Sequence, residues 1–118
     1  MLTFPSSLKV FVSLDAADLR KSFTGLWALT VNVLKDDPSG GALYVYTNRR
    51  HNRVKILYWD GTGLCLYAKR LEDGAFRWPA IEDGVIRLSA AQLSALLEGL
   101  DWRRVHEARE TATPVAAG

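Results

Sequence analysis

Leu43-Tyr-Val-Tyr-Thr-Asn-Arg-Arg-His-Asn-Arg-Val-Lys-Ile-Leu-Tyr-Trp-Asp-Gly-Thr-Gly-Leu-Cys-Leu-Tyr-Ala-Lys-Arg-Leu71 reads as three β-strands separated by two short turns. The runs Leu43 to Asn48, Arg53 to Asp60 and Leu64 to Leu71 are rich in the β-branched and aromatic residues that suit a pleated, half-buried surface. Arg49-Arg-His-Asn52 and Gly61-Thr-Gly63 have the length of hairpin connections, so neighbouring strands should pair antiparallel as a meander. In the central run a period of two places Val54, Ile56 and Tyr58 on one face and Arg53, Lys55, Leu57 and Trp59 on the other. One face is therefore core and the other mixed.

Working outward, Leu8-Lys-Val-Phe-Val-Ser-Leu14 is short, apolar and bounded by Pro5 and Asp15, which predicts a strand. A helix should follow, with Asp15 or Asp18 accepting the free N–H groups of its first turn. Leu19, Phe23, Leu26, Trp27, Leu29, Val31 and Leu34 then recur mostly three or four residues apart. Pro38 and Gly40-Gly41 end it in a loop. Downstream, Glu72-Asp-Gly74 is a turn, Val85 to Leu88 predicts a further short strand, and Ser89 caps a helix through about Leu97 that Gly99 stops. Leu100 and Trp102 should fold back onto the core. The expected fold is α+β, with an N-terminal strand and long helix packed on an antiparallel β-meander and a short C-terminal helix. A single domain over residues 1–106 is expected, with 107–118 as a mobile tail too poor in apolar bulk to dock firmly.

With 118 residues, 48% hydrophobic and 24% charged, the chain has the composition of one soluble domain able to fold without disulfides or a structural metal. No apolar run approaches the ~20 residues that span a bilayer, and Met1 to Lys9 does not read as a signal segment. No membrane partner is expected. Cys65 is the single cysteine and its apolar neighbours suggest a packed thiol, so a reducing, cytoplasmic location fits best. With His51 and His106 it makes a poor zinc set, and no cofactor is expected.

The net charge is only +2, yet it is unevenly spread. Residues 42–80 hold seven basic groups against three acidic ones, a local +4, whereas 1–41 balance at four each and 81–118 carry four against six. The basic excess centres on Asn48-Arg-Arg-His-Asn-Arg53 and Lys55, with Lys69, Arg70 and Arg77 extending it if their strand faces the same way. Arginine offers a planar fork matched to two phosphate oxygens, and a hairpin tip can carry several such forks into a groove. Equally, such charges keep a sheet edge soluble.

No strong catalytic signal accompanies this patch. Gly61-Thr-Gly63 is too short for a dinucleotide fingerprint and lies where a turn is wanted. Asp15, Asp60 and Asp101 fall at element ends, where capping explains them, and His51 sits among positive charges. A metal-dependent nuclease would need at least two of Asp15, Asp60, Glu72, Asp73 and Asp101 to converge.

Asp18-Leu-Arg-Lys-Ser-Phe-Thr-Gly-Leu-Trp-Ala-Leu29, Leu43 to Arg50, Arg53 to Asp60, Lys69 to Pro79 and the ending Leu96-Leu-Glu-Gly-Leu-Asp-Trp102 together resemble the second-reading-frame accessory proteins of the IS-sixty-six insertion-sequence family, over about residues 1–102. The resemblance implies a non-enzymatic bacterial helper of DNA transposition, with a separate transposase supplying the catalytic carboxylates. No family active site transfers to particular residues. Two positions depart from the family pattern: His51 stands where a third basic residue is frequent, and Leu64 where an aromatic is frequent.

Two expectations follow. In the first, the protein binds DNA, at element ends or in a transposition intermediate, through Arg49, Arg50, Arg53, Lys55, Lys69 and Arg70, and is nucleoid-associated. In the second it is an adaptor contacting the transposase or another accessory protein of the element, with Trp59, Tyr67 and Trp78 as exposed anchors. Convergent arginines favour the first, and aromatics on an open sheet face the second.

Overall fold

A computed structural model describes residues 8–32, 35–80 and 86–105. Along the chain lie β1 (Val10–Val12), α1 (Phe23–Asn32), β2 (Leu43–Thr47), β3 (Arg53–Trp59), β4 (Leu64–Arg70), β5 (Ile86–Leu88) and α2 (Ala90–Leu97), with 3-10 turns at Pro38–Gly40 and Trp102–Arg104. The meander read from the sequence is present: β2, β3 and β4 pair antiparallel in register Tyr44 to Leu57 and Arg53 to Arg70. The N-terminal strand, however, is a member of the sheet. β1 pairs parallel with β2, Val10 opposite Leu43, and β5 closes on its other side antiparallel, giving the order β4-β3-β2-β1-β5. Parallel neighbours need a crossover of a dozen or more residues, and the segment carrying α1 supplies it.

That crossover puts α1 on one sheet face and leaves the other to α2. β2 is buried at all five positions, as a strand covered on both faces must be. Leu43 and Val45 join Val10, Val12, Val54, Ile56 and Leu88 beneath Leu93, Leu96 and Leu97 of α2, with Phe76, Trp78 and Trp102 filling the margins. Tyr44, Tyr46 and Leu57 point the opposite way onto Leu26 of α1. The polar atoms buried with these rings are satisfied. The Tyr46 and Thr30 hydroxyls bond each other, and Thr30 also donates to the Leu26 carbonyl at 2.8 Å. The Tyr44 hydroxyl donates to Asp36 at 2.7 Å, so burial together with that carboxylate pushes its phenol well above the ordinary tyrosine range.

α2 begins as its sequence says. Ser89 Oγ accepts from Gln92 N at 3.1 Å while Gln92 Oε1 accepts from Ser89 N at 3.0 Å, a reciprocal capping box, and Gly99 turns the chain at a φ of +77°. Beyond it Trp102 is buried and donates its indole N–H to the Arg77 carbonyl at 2.6 Å, but Leu100 stays 58% exposed rather than folding back. α1 departs further from expectation, starting at Phe23 and not at Asp15 or Asp18. Asp18 instead accepts the Arg20 backbone N–H at 3.0 Å, and its carbonyl accepts from Lys21 N at 3.1 Å. This is the local Asx alternative with which aspartate competes against helix. The expected C-terminal tail, and the helix end at Leu34, lie outside the described residues.

Leu26 and Leu93 are fully buried on opposite faces of one sheet. Leu26→Ala and Leu93→Ala should each lower unfolding free energy by about 2–5 kcal/mol. In urea titrations both should shift the midpoint with an unchanged slope.

Candidate functional site

The basic residues gather where the parallel pair ends. Open sheets offer a crevice outside the carboxyl ends of parallel strands, where successive connections diverge. Here the chain leaves β1 toward α1 and leaves β2 into the β2–β3 hairpin. Ala17 N donates to the Thr47 carbonyl at 2.8 Å and Ser13 N to Val45 at 2.9 Å, holding the β1–α1 loop beside the hairpin. Between them lies an open depression of about 710 Å³, lined by Ala16 to Arg20 on one side and Asn48, Arg49, Arg50 and Arg53 on the other. A second depression of about 410 Å³ shares Leu19 and Arg53 with it and continues over Val54, Lys55, Ala68, Lys69 and Arg70. The two form one groove running from the hairpin tip along the α1 side of β3 and β4.

The hairpin tip is built to stay in place. Asn48 Oδ1 accepts from the backbone N–H groups of Asn52 and Arg53, each at 3.1 Å, and its Nδ2 donates to Asn52 Oδ1 at 2.7 Å. His51 takes the left-handed conformation, φ +54°, which closes the turn and which histidine adopts more readily than most non-glycine residues. Its carbonyl accepts from Phe76 N at 2.7 Å, and that of Asn52 from Leu71 N at 2.9 Å, tying the tip to the chain after β4. Arg49, Arg50 and Arg53 are exposed and, among the described residues, form no ion pair, so their guanidinium forks remain open to an external anion.

Strand parity sorts the other candidates. Arg70 lies opposite Arg53 and so shares the groove face, where it also pairs with Glu72 at 3.1 Å. Lys55 is on that face too, its ammonium donating to the Lys21 carbonyl at 2.9 Å. Lys69 borders the second depression, but it lies opposite Val54 and its ammonium turns to the α2 face, where it donates to the Leu97 carbonyl at 2.6 Å. Its cation satisfies the end of a helix, where the dipole favours positive charge, instead of extending the basic patch.

The aromatic anchors do not form one surface. Trp78 is buried in the core, its indole N–H donating to the Ser13 carbonyl at 2.9 Å, so it is unavailable as an exposed anchor. Tyr67, half-buried, packs on the α2 side opposite Ile56, and Trp59 is half-buried at the far end of β3 beside Leu64.

Asp60 organises the β3–β4 turn. It accepts from Thr62 N and Gly63 N, both at 2.9 Å, and from the Thr62 hydroxyl at 3.1 Å and the Cys65 thiol at 3.4 Å. The two backbone donors foremost hold its carboxyl down at about 2. Burial and the facing carboxylate push the Cys65 thiol up, away from reactivity. Asp101 likewise accepts from Arg103 N at 3.2 Å and pairs with Arg104 at 3.5 Å. Among the described residues no group of three or more His, Cys, Asp and Glu side chains is placed to hold a metal ion. No described helix is long and apolar enough to cross a membrane.

The second wall of the groove was not legible in the sequence. Asp18 and Arg20 sit in a stretch whose apolar periodicity reads as helix, and only the Asx turn turns them toward the hairpin.

A family model described as "IS66 Orf2 like protein" matches residues 8–107. The chain is 40% identical over 107 residues to "Uncharacterized protein y4hO" of Sinorhizobium fredii (strain NBRC 101917 / NGR234), covering 91% of this chain and 93% of that protein. It is 39% identical over 98 residues to "Uncharacterized protein y4jC" of the same strain, covering 83% and 84%. No solved structure matches.

Replacing Asn48 with Ala removes two hydrogen bonds to the turn backbone, one part-buried and one exposed, and should cost about 0.5–1.5 kcal/mol by urea unfolding. Arg49→Ala and Arg50→Ala should stay within about 0.5 kcal/mol of wild type. Because Asp60 holds its proton less tightly when folded, its contribution is complete above about pH 4 and is lost as pH falls toward about 2. Asp60→Asn should accordingly flatten the acid limb of the stability curve in that window.

Proposed function

This chain belongs to the IS66 Orf2-like family of transposition accessory proteins, and we propose that in this role it binds DNA along the groove between the β1–α1 loop and the β2–β3 hairpin. The observation that carries the reading is the set of three exposed guanidinium groups, Arg49, Arg50 and Arg53, on and beside a braced turn, none of them ion-paired among the described residues. Lys55 and Arg70 continue the positive track on the same face. Forks of this kind bind phosphate oxygens in pairs and set the register of a protein on nucleic acid without reading its sequence.

The groove is lined by aliphatic, charged and amide residues. Proteins that hold single strands rely on aromatic platforms for the bases, and here the residues beside the cations are Ala16, Ala17, Asp18, Leu19, Asn48, Val54 and Ala68, with no aromatic among them. That lining favours the sugar-phosphate backbone of a duplex.

A second reading, an adaptor for the transposase that touches no DNA, draws support from α1. Its ten residues carry no charge, and Phe23 and Val31 are 46% and 41% exposed on its outer side. A helix apolar on several sides is normally covered on several sides.

Purified protein should bind labelled element-end duplex with a log affinity that falls linearly with log salt concentration. The Arg49→Ala/Arg50→Ala/Arg53→Ala variant should show a salt slope shallower by about three phosphate contacts while its unfolding curve is unchanged. Absence of binding at low salt to element-end duplex, unrelated duplex and single strand alike would remove the DNA reading and leave the adaptor.

A further inference from the structure

One carboxylate lies in the wall of this otherwise basic groove. Asp18 receives the Arg20 Nε–H at 3.0 and 3.2 Å from its two oxygens and Nη2–H at 2.8 Å. This is the two-pronged arrangement with which guanidinium binds either a carboxylate or a phosphate. Both side chains line the depression that Arg49, Arg50 and Arg53 line from the opposite side. The Arg20 side chain is 91% exposed and that of Asp18 44%, so no packing has to break for the pair to separate.

From this geometry we infer that Arg20 is a further phosphate-binding residue of the groove, held by Asp18 in the free protein and surrendered to a backbone phosphate when DNA binds. The inference rests on the DNA-binding reading above and adds to it an internal competitor for the ligand. Asp18 occupies the fork that a phosphate would take. The Arg20 side chain foremost holds the Asp18 carboxyl at about 2, so it is ionised throughout the physiological range. Protonation therefore does not release Arg20, whereas exchange for another anion does. The exchange is between equivalent partners in a solvated setting, where ion pairs are weak and screened by salt. The competitor thus restrains affinity without blocking the groove.

Asp18→Asn is the informative variant, because an asparagine oxygen can still accept the Arg20 backbone N–H and keep the Asx turn. Binding to a short labelled duplex would be followed by fluorescence anisotropy across a salt series for wild type, Asp18→Asn, Arg20→Ala and the double variant. Thermal unfolding checks that each is folded. Asp18→Asn should bind about three- to tenfold more tightly at low salt, with a salt slope steeper by about one phosphate contact. Arg20→Ala alone should change affinity less than about twofold, and in its background Asp18→Asn should give little of the gain. An equal gain with or without Arg20 would overturn the inference, since Asp18 would then act only as a repelling charge. A fall in affinity on Asp18→Asn would overturn it as well. Failure of all four proteins to bind any DNA would remove the DNA-binding reading itself, a result distinguishable from either of these.

Discussion

The parallel pairing of β1 with β2 is the constraint on which the rest of this structure depends. Three residue pairs, Val10 with Leu43, Phe11 with Tyr44 and Val12 with Val45, make it. Joining parallel neighbours obliges the chain to cross one sheet face, which is how α1 comes to lie over Tyr44, Tyr46 and Leu57. The same pairing brings the carboxyl ends of β1 and β2 side by side. The loop carrying Asp18 and Arg20 is thereby set against the hairpin carrying Arg49, Arg50 and Arg53. A sheet built from the meander alone would have the hairpin and no opposite wall.

Rigidity and openness are divided between the two walls. On the hairpin side, Asn48 closes the turn with both the oxygen and the nitrogen of its side-chain amide while His51 and Asn52 anchor it through their carbonyls, so the guanidinium groups project from backbone that is already ordered. Order in the free protein lessens what binding must later cost in conformational entropy. On the opposite wall the ion pair of Asp18 and Arg20 is solvent-exposed and exchangeable. Charge placement follows the same division. Lys69 is engaged by the carbonyl end of α2, Lys55 bridges to the carbonyl of Lys21 and Arg70 pairs with Glu72, so among the basic residues of this face Arg49, Arg50 and Arg53 keep open forks.

Much of the fold could be read from residue pattern, because the signals involved are local. Alternation in Arg53 to Trp59, the Ser89 cap at the start of α2, and the turn at Gly61 to Gly63 each act within a few residues of themselves. Those expectations match the structure to within a residue or two. α1 starts later than its apolar spacing suggests for an equally local reason: Asp18 can cap a helix or make an Asx turn, and that spacing does not distinguish the two. For Trp78, composition marks an aromatic beside a proline but carries no information on depth. Its burial depends on Ser13, 65 residues away, supplying a carbonyl for the indole.

By itself, the amino-acid sequence determined the meander, the helices at either end, the concentration of positive charge between residues 42 and 80 and the family resemblance, all of which reside in near-neighbour pattern or in the string itself. Only the tertiary structure decided which cations lie together. Strand parity separated Arg70 from its neighbour Lys69, and parallel pairing joined Arg20 to arginines about thirty residues away. Both are consequences of register and topology, which arise from pairings between distant segments that no local reading of one chain contains.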